Sequence, residues 1–329
     1  MKSIHKIHFF TAAALILTAA AVFISVCVGA FPLTPQALAS GDAMALRVFY
    51  TLRLPRVLMA LVSGFVLGVC GGVYQSIFKN PLASPDIIGV SSGASLGAAA
   101  AILFFSGSFF ATTLCAFIFG LAAVVLALML SRLGREDSLA ATVLAGIAVG
   151  ALAQALLMIL KLTADPEKQL AAIEYWIMGS LNGVTLSRAL PAALLGLAAC
   201  AVVLTLHRQV LLLSVGDEEA SMLGVRVQAT RFGVLLAATL GVTATISVTG
   251  LISFVGLLAP HIARLITGDN RLPTLYLGGL TGSLILLVAD IFSRSLAASE
   301  LPVSVFTSLL GAPFMIYLMA KGGKIRGTL

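Results

Sequence analysis

The chain has 329 residues, 60% of them hydrophobic and only 10% charged, and its mean hydropathy is +1.09. A soluble globular domain is about a quarter charged, so no water-soluble packing can hide this much apolar surface. The formal charge of +7 does not point to nucleic acid, because the basic residues stand singly between apolar runs, where they act as topology signals.

A hydrocarbon core about 30 Å thick is crossed by roughly 20 apolar residues in a helix. Stretches of that size recur from Ile7 to Ala320, each continuously apolar, which predicts an all-α polytopic membrane protein rather than a β-barrel. Breaks at charges, prolines and glycines divide the chain into about ten spans: 7–30, 56–76, 92–107, 112–131, 139–161, 190–207, 229–249, 252–266, 273–294 and 304–320. The first follows Lys2 and Lys6 and has a signal-peptide look, with Val28, Gly29 and Ala30 loosely matching a cleavage site. Its apolar run is longer than the about 7–15 residues of a signal h-region, which predicts a retained helix. The eighth span is short and carries Pro260 and His261, as a broken or re-entrant helix would.

An even number of spans puts both termini on one side. With that side cytoplasmic, 13 Lys and Arg fall inside and 7 outside, in keeping with the positive-inside rule. Arg47, Arg53 and Arg56 cluster outside against the bias, and such a patch invites a functional role. The four cysteines, Cys27, Cys70, Cys115 and Cys200, lack CxxC spacing and predict no metal or redox site. Glycines recur four residues apart at Gly64, Gly68 and Gly72, at Gly93 and Gly97, at Gly146 and Gly150, and at Gly278 and Gly282. Each set forms a smooth stripe for close helix approach, most simply within one subunit.

Two loops stand out. Asn80 to Gly93, between the second and third spans, holds Pro81, Pro85, Gly89 and Gly93, which predicts a compact cytoplasmic turn with Ser91 or Ser92 capping the next helix. Ser214 to Gln228 predicts a short cytoplasmic helix, with Asp217, Glu218 and Glu219 at its positive end and Gly224 as its stop. That helix would leave Ala220, Met222, Leu223 and Val225 in water, which calls for a protein partner.

The chemistry that the chain lacks is also informative. GxxxxGK[ST] occurs nowhere, and Gly322-Gly323-Lys324-Ile325 fails it, so any ATP must be hydrolysed by another polypeptide. No HExxH or paired intramembrane carboxylates suggest an enzyme. Charges lie at span ends or in loops, with Asp290 the closest exception, so an ion-coupled secondary transporter has little to work with.

Six segments in order resemble the FecCD-type permeases: Arg53-Leu-Pro-Arg56, Asn80 to Ala94, Gly216 to Val225, Phe254-Val-Gly-Leu-Leu-Ala-Pro-His-Ile-Ala-Arg264, Glu300-Leu-Pro302 and Gly311-Ala-Pro-Phe314. These are the membrane subunits of iron-siderophore, haem and vitamin B12 ABC importers. The resemblance implies a single permease domain over residues 1–329, of the ABC type II importer kind, in a bacterial or archaeal inner membrane. It implies a homodimer with the path between the copies, two cytoplasmic ATPase subunits that use ATP and Mg, and an outer substrate-binding protein. It makes 214–228 the coupling segment that docks on the ATPase. It also makes Arg53, Arg56 and Arg294 partners for glutamates of the binding protein, and the fifth span, with Thr142 and Gly146, a candidate gate and path helix. Iron(III)-siderophore is the commonest cargo of such proteins; haem, cobalamin and molybdate are the alternatives. No cofactor or metal is expected on this chain itself.

Overall fold

The computed structural model describes residues 2–29, 31, 33–133, 139–296 and 300–321, and these contain helices and no strand. Ten principal helices answer the ten predicted spans: α1 (Lys2–Cys27), α2 (Leu54–Ile77), α3 (Val90–Phe104), α4 (Phe109–Leu130), α5 (Leu139–Thr163), α6 (Leu186–Thr205), α7 (Val227–Thr249), α8 (Val255–Thr267), α9 (Leu272–Ser295) and α10 (Val303–Lys321). Among the described residues seven stretches are long and apolar enough to cross a membrane; one of them is α2 with its lead-in, continuous over Ala43–Ile77. The apolar helices α3, α8 and α10 are shorter. Helices at Pro35–Ala39, Ala43–Val48, Ala171–Met178 and His207–Val215 were not expected, since each is too short to register as an apolar run.

α2 is the hub. Nearly its whole surface is buried, against α6, α7, α8 and α9. Its glycine stripe explains the closest of these contacts: a Cβ at Gly64 would strike the carbonyl of Gly282, and one at Gly68 the carbonyl of Gly278. The other stripes work likewise within the chain, Gly93 and Gly97 against α4 and Gly146 against the turn at Ile87–Ile88. In a bilayer, where hydrophobicity does not drive helices together, such backbone proximity is a main source of association. Between the helices, Tyr74 and Thr239 share a buried hydroxyl hydrogen bond of 2.6 Å. The cysteines Cys70 and Cys200, distant in sequence, lie together in the same core. α1 packs along α9 and contributes Ala21 to a second core cluster.

α3 and α8 are short because both begin inside the bundle. After α2 the chain turns back, and the 3-10 turn Pro85–Ile88 rests beside the middle of two longer helices. Pro85 approaches Gly256, which itself packs on Leu67; at 1.5 Å per residue Leu67 is about 15 Å along α2 from its cytoplasmic end. Gly89, at φ +84°, abuts Gly146 and Gly150 midway along α5. The compact turn expected on the cytoplasmic side at 80–93 does form, but it is re-entrant, made possible by glycine-to-glycine approach. Neither Ser91 nor Ser92 caps α3, whose N-cap is Gly89; the Ser91 hydroxyl donates instead to Asp86. α8 starts similarly, after an irregular stretch bounded by Gly250 at φ +70° and Phe254 at φ +63°; it begins inside the bundle, as a re-entrant helix would, and runs unbroken through Pro260.

Candidate coupling and docking sites

On the side of the 214–228 segment, the helix Asp217–Met222 forms as the sequence predicts. Gly216 is extended and offers no side chain to cap it, so the three carboxylates meet the positive end of the helix directly. The helix stops at Gly224, where φ is +82°, and the Val225 amide donates to the Ala220 carbonyl at 3.0 Å. Met222 is 84% exposed and Leu223 67%, an apolar tip flanked by the exposed Glu218 and Glu219. Ala220 is a correction: expected in water, it is fully buried, because the helix lies against its own bundle on that side. Val225 is half-buried.

Asp217 has a second role that local sequence could not reveal. Both of its oxygens accept from the Arg231 guanidinium, at 2.7 and 2.8 Å, and Lys79 lies 3.8 Å away. Arg231 is buried in α7 and Lys79 follows α2, so one carboxylate ties the short helix to two elements of the bundle. A charge-assisted contact of this kind, one guanidinium nitrogen against both carboxylate oxygens, is stronger than a neutral hydrogen bond.

Thr142 and Gly146, expected at the gate, are both buried on the inward side of α5. Gly146 receives the backbone of Ile87 and Ile88, and Thr142 lines a small crevice with Leu128, Ser131, Arg132, Arg231 and Phe232.

On the opposite face Arg53, Arg56 and Arg294 converge, as their shared assignment implied, yet they are buried rather than free. Arg56 donates to Asp290 at 2.7 Å and to both oxygens of Glu300 at 2.8 Å. Arg294 stands 3.4 Å from the other Asp290 oxygen and donates to the Ser25 carbonyl at 2.6 Å. Arg53 donates to the Phe31 carbonyl at 3.1 Å. Three guanidiniums thus meet two carboxylates, and the Arg53 Nε, Arg56 Nη2 and Arg294 Nη1 groups are buried without partners among the described residues. The cluster borders a cleft of about 610 Å³ that Leu181, Asn182 and Glu300 also line. Asp290 and Glu300 were missed as site residues. Asp290 carried a signal, since an ionisable residue within an apolar span needs a partner and Arg294 is one turn further on.

Comparison with known proteins gives the chain a family. The model of the FecCD transport family matches residues 17–321. The chain belongs to that family. Over 288 residues it is 38% identical to the hemin transport system permease HmuU of Yersinia pestis, covering 86% of this chain and 85% of the relative. It is 33% identical over 285 residues to the molybdate import permease MolB of Haemophilus influenzae, covering 86% and 84%. A solved inward-facing structure described as a metal-chelate type ABC transporter superposes with a TM-score of 0.85 at 32% identity, over 94% of this chain and 98% of the other. This FecCD protein is accordingly a multi-pass, inner-membrane permease of the ABC importer type, a transport subunit and not an ATPase. FecCD permeases work with ATPase and binding-protein partners.

Proposed function

We propose that this chain is one half of a homodimeric, binding-protein-dependent importer, with the path between the two copies, and that its cargo is an iron(III)-siderophore. The observation that carries the reading is the helix at Asp217–Met222: its apolar tip, Met222 and Leu223, projects into water while Asp217 and Ala220 anchor its other side. An anchored helix with an uncovered tip suits a cytoplasmic ATPase, which would bind the ATP and Mg; the permease itself needs no cofactor. ATP-driven closure of two ATPase subunits would push this tip, and Asp217 would pass the motion to α7 and to the chain after α2.

On the outer face the arginine cluster has one cation more than its carboxylates balance, and its residues line an open cleft. A glutamate from a binding protein would supply the balancing charge. Thr142, beside Arg231, and Gly146, against the re-entrant turn, would sense movement of the coupling helix from inside the subunit and so act at the gate indirectly.

Leu223→Asp in the reconstituted complex is expected to abolish transport-coupled ATP turnover while the protein still inserts; unchanged uptake would refute the coupling role. The cargo is tested by ligand binding to the cognate binding protein. An iron(III)-siderophore is expected to bind, whereas haem, cobalamin or molybdate bound in its place would redirect the assignment. Uptake that outlasts ATP and stops when an ion gradient collapses would favour a secondary transporter.

A further inference from the structure

The two irregular segments described above meet at one place. The Pro85–Ile88 turn and the stretch before α8 converge on a cleft of about 230 Å³ whose polar lining is Ser84, Asp86, Ser91 and Ser253. Leu67, near the middle of α2, and Val242, two turns before the end of α7, also line it, which sets it inside the bundle. Asp86 is exposed there. Ser91 donates to one of its oxygens and Ser84 to the other, at 3.4 Å, and among the described residues no cation pairs with it. The residues lining this cleft include no lysine, arginine or histidine.

Non-helical backbone at membrane depth persists only where it is buried in protein or lines a water-filled cavity. A carboxylate at that depth almost always faces the bundle interior or a water-filled cavity rather than lipid. Asp86 is exposed in the single chain and not ion-paired among the described residues, which favours water as its partner. Its two serine donors hold the carboxylate in place without cancelling its charge.

We infer that this cleft is a water-filled stretch of the permeation path and that Asp86 sets its charge preference, favouring neutral or positively charged chelates over oxyanions and anionic chelates. Placing the cleft on a path rests on the importer reading, whereas the hydration and charge bias do not. A fixed negative charge in a low-dielectric cleft raises the local concentration of cations and lowers that of anions, by tenfold or more when walls focus the field.

The test uses the full-length chain in membrane vesicles, with Cys27, Cys70, Cys115 and Cys200 replaced by serine or alanine. Ser253→Cys is then reacted with a cationic and an anionic methanethiosulfonate of similar size. Both reagents are expected to label the thiol, and the ratio of cationic to anionic rates is expected to fall about tenfold when Asp86→Asn is added. Ser84→Cys repeats the measurement should the first variant fold poorly. A thiol no more reactive than one placed at Leu126, on the exposed apolar side of α4, overturns the inference, and so does a ratio that Asp86→Asn leaves unchanged. A labelled, charge-biased cleft in a chain whose Leu223→Asp variant transports normally would retain the hydration and charge result and remove the coupling reading instead.

Discussion

Replacing Asp290 with asparagine probes the outer cluster at its centre. The Asp290 side chain is 0% exposed, with one oxygen 2.7 Å from Arg56 Nε and the other 3.4 Å from Arg294 Nε. The asparagine keeps the shape and removes the charge. Arg56 then retains Glu300, but Arg294 is left with only the neutral Ser25. Removing one partner of a buried pair strands the other charge and costs about 3–5 kcal/mol, a large share of the about 5–15 kcal/mol that holds a typical domain together. The loss should appear as an earlier midpoint when the detergent-solubilised protein is unfolded by SDS. Arg294→Met on top of Asp290→Asn should recover most of it, because the stranded cation is gone. A loss below about 1 kcal/mol, the level of an exposed ion pair, would show that the cluster is solvated and would refute the argument from burial.

Two glycines separate packing from backbone geometry. Gly68→Val drives side-chain atoms into the Gly278 backbone and should lower stability by about 1–3 kcal/mol in the same SDS titration, by forcing α2 and α9 apart. Gly224→Ala meets nothing within reach, so its cost is the left-handed backbone alone, about 1–2 kcal/mol. That cost falls on the coupling helix: ATPase association should weaken about 5–30-fold while the SDS midpoint stays put. An undiminished affinity would mean that the helix C-terminus does not shape the docking surface.

The helices were legible because a bilayer-spanning helix must be apolar throughout, and all ten expected spans have a helix at their centre. The helix at 217–222 was equally legible, since its acidic start and glycine stop are local effects. Local pattern could not show that Asp217 reaches Arg231, because that pair depends on how the helix folds back on α7. The same blindness hid how deep the compact turn at 80–93 lies. Proline, glycine and serine in that order describe a turn, but nothing in them says whether water or α5 lies beside it.

The arginines show the division most clearly. By itself the sequence determined that this is a membrane-embedded helical bundle, which helices bear glycine stripes, and that cations at 53, 56 and 294 stand at span ends. These follow from transfer energy and from preferences that act within a few residues. Only the tertiary structure decided that Arg56 and Arg294 share Asp290, that α3 and α8 begin inside the bundle, and that Asp86 opens onto a cleft with four polar side chains. Long-range pairing is chosen by which helices meet, and that choice is made by packing over the whole chain rather than by any one segment.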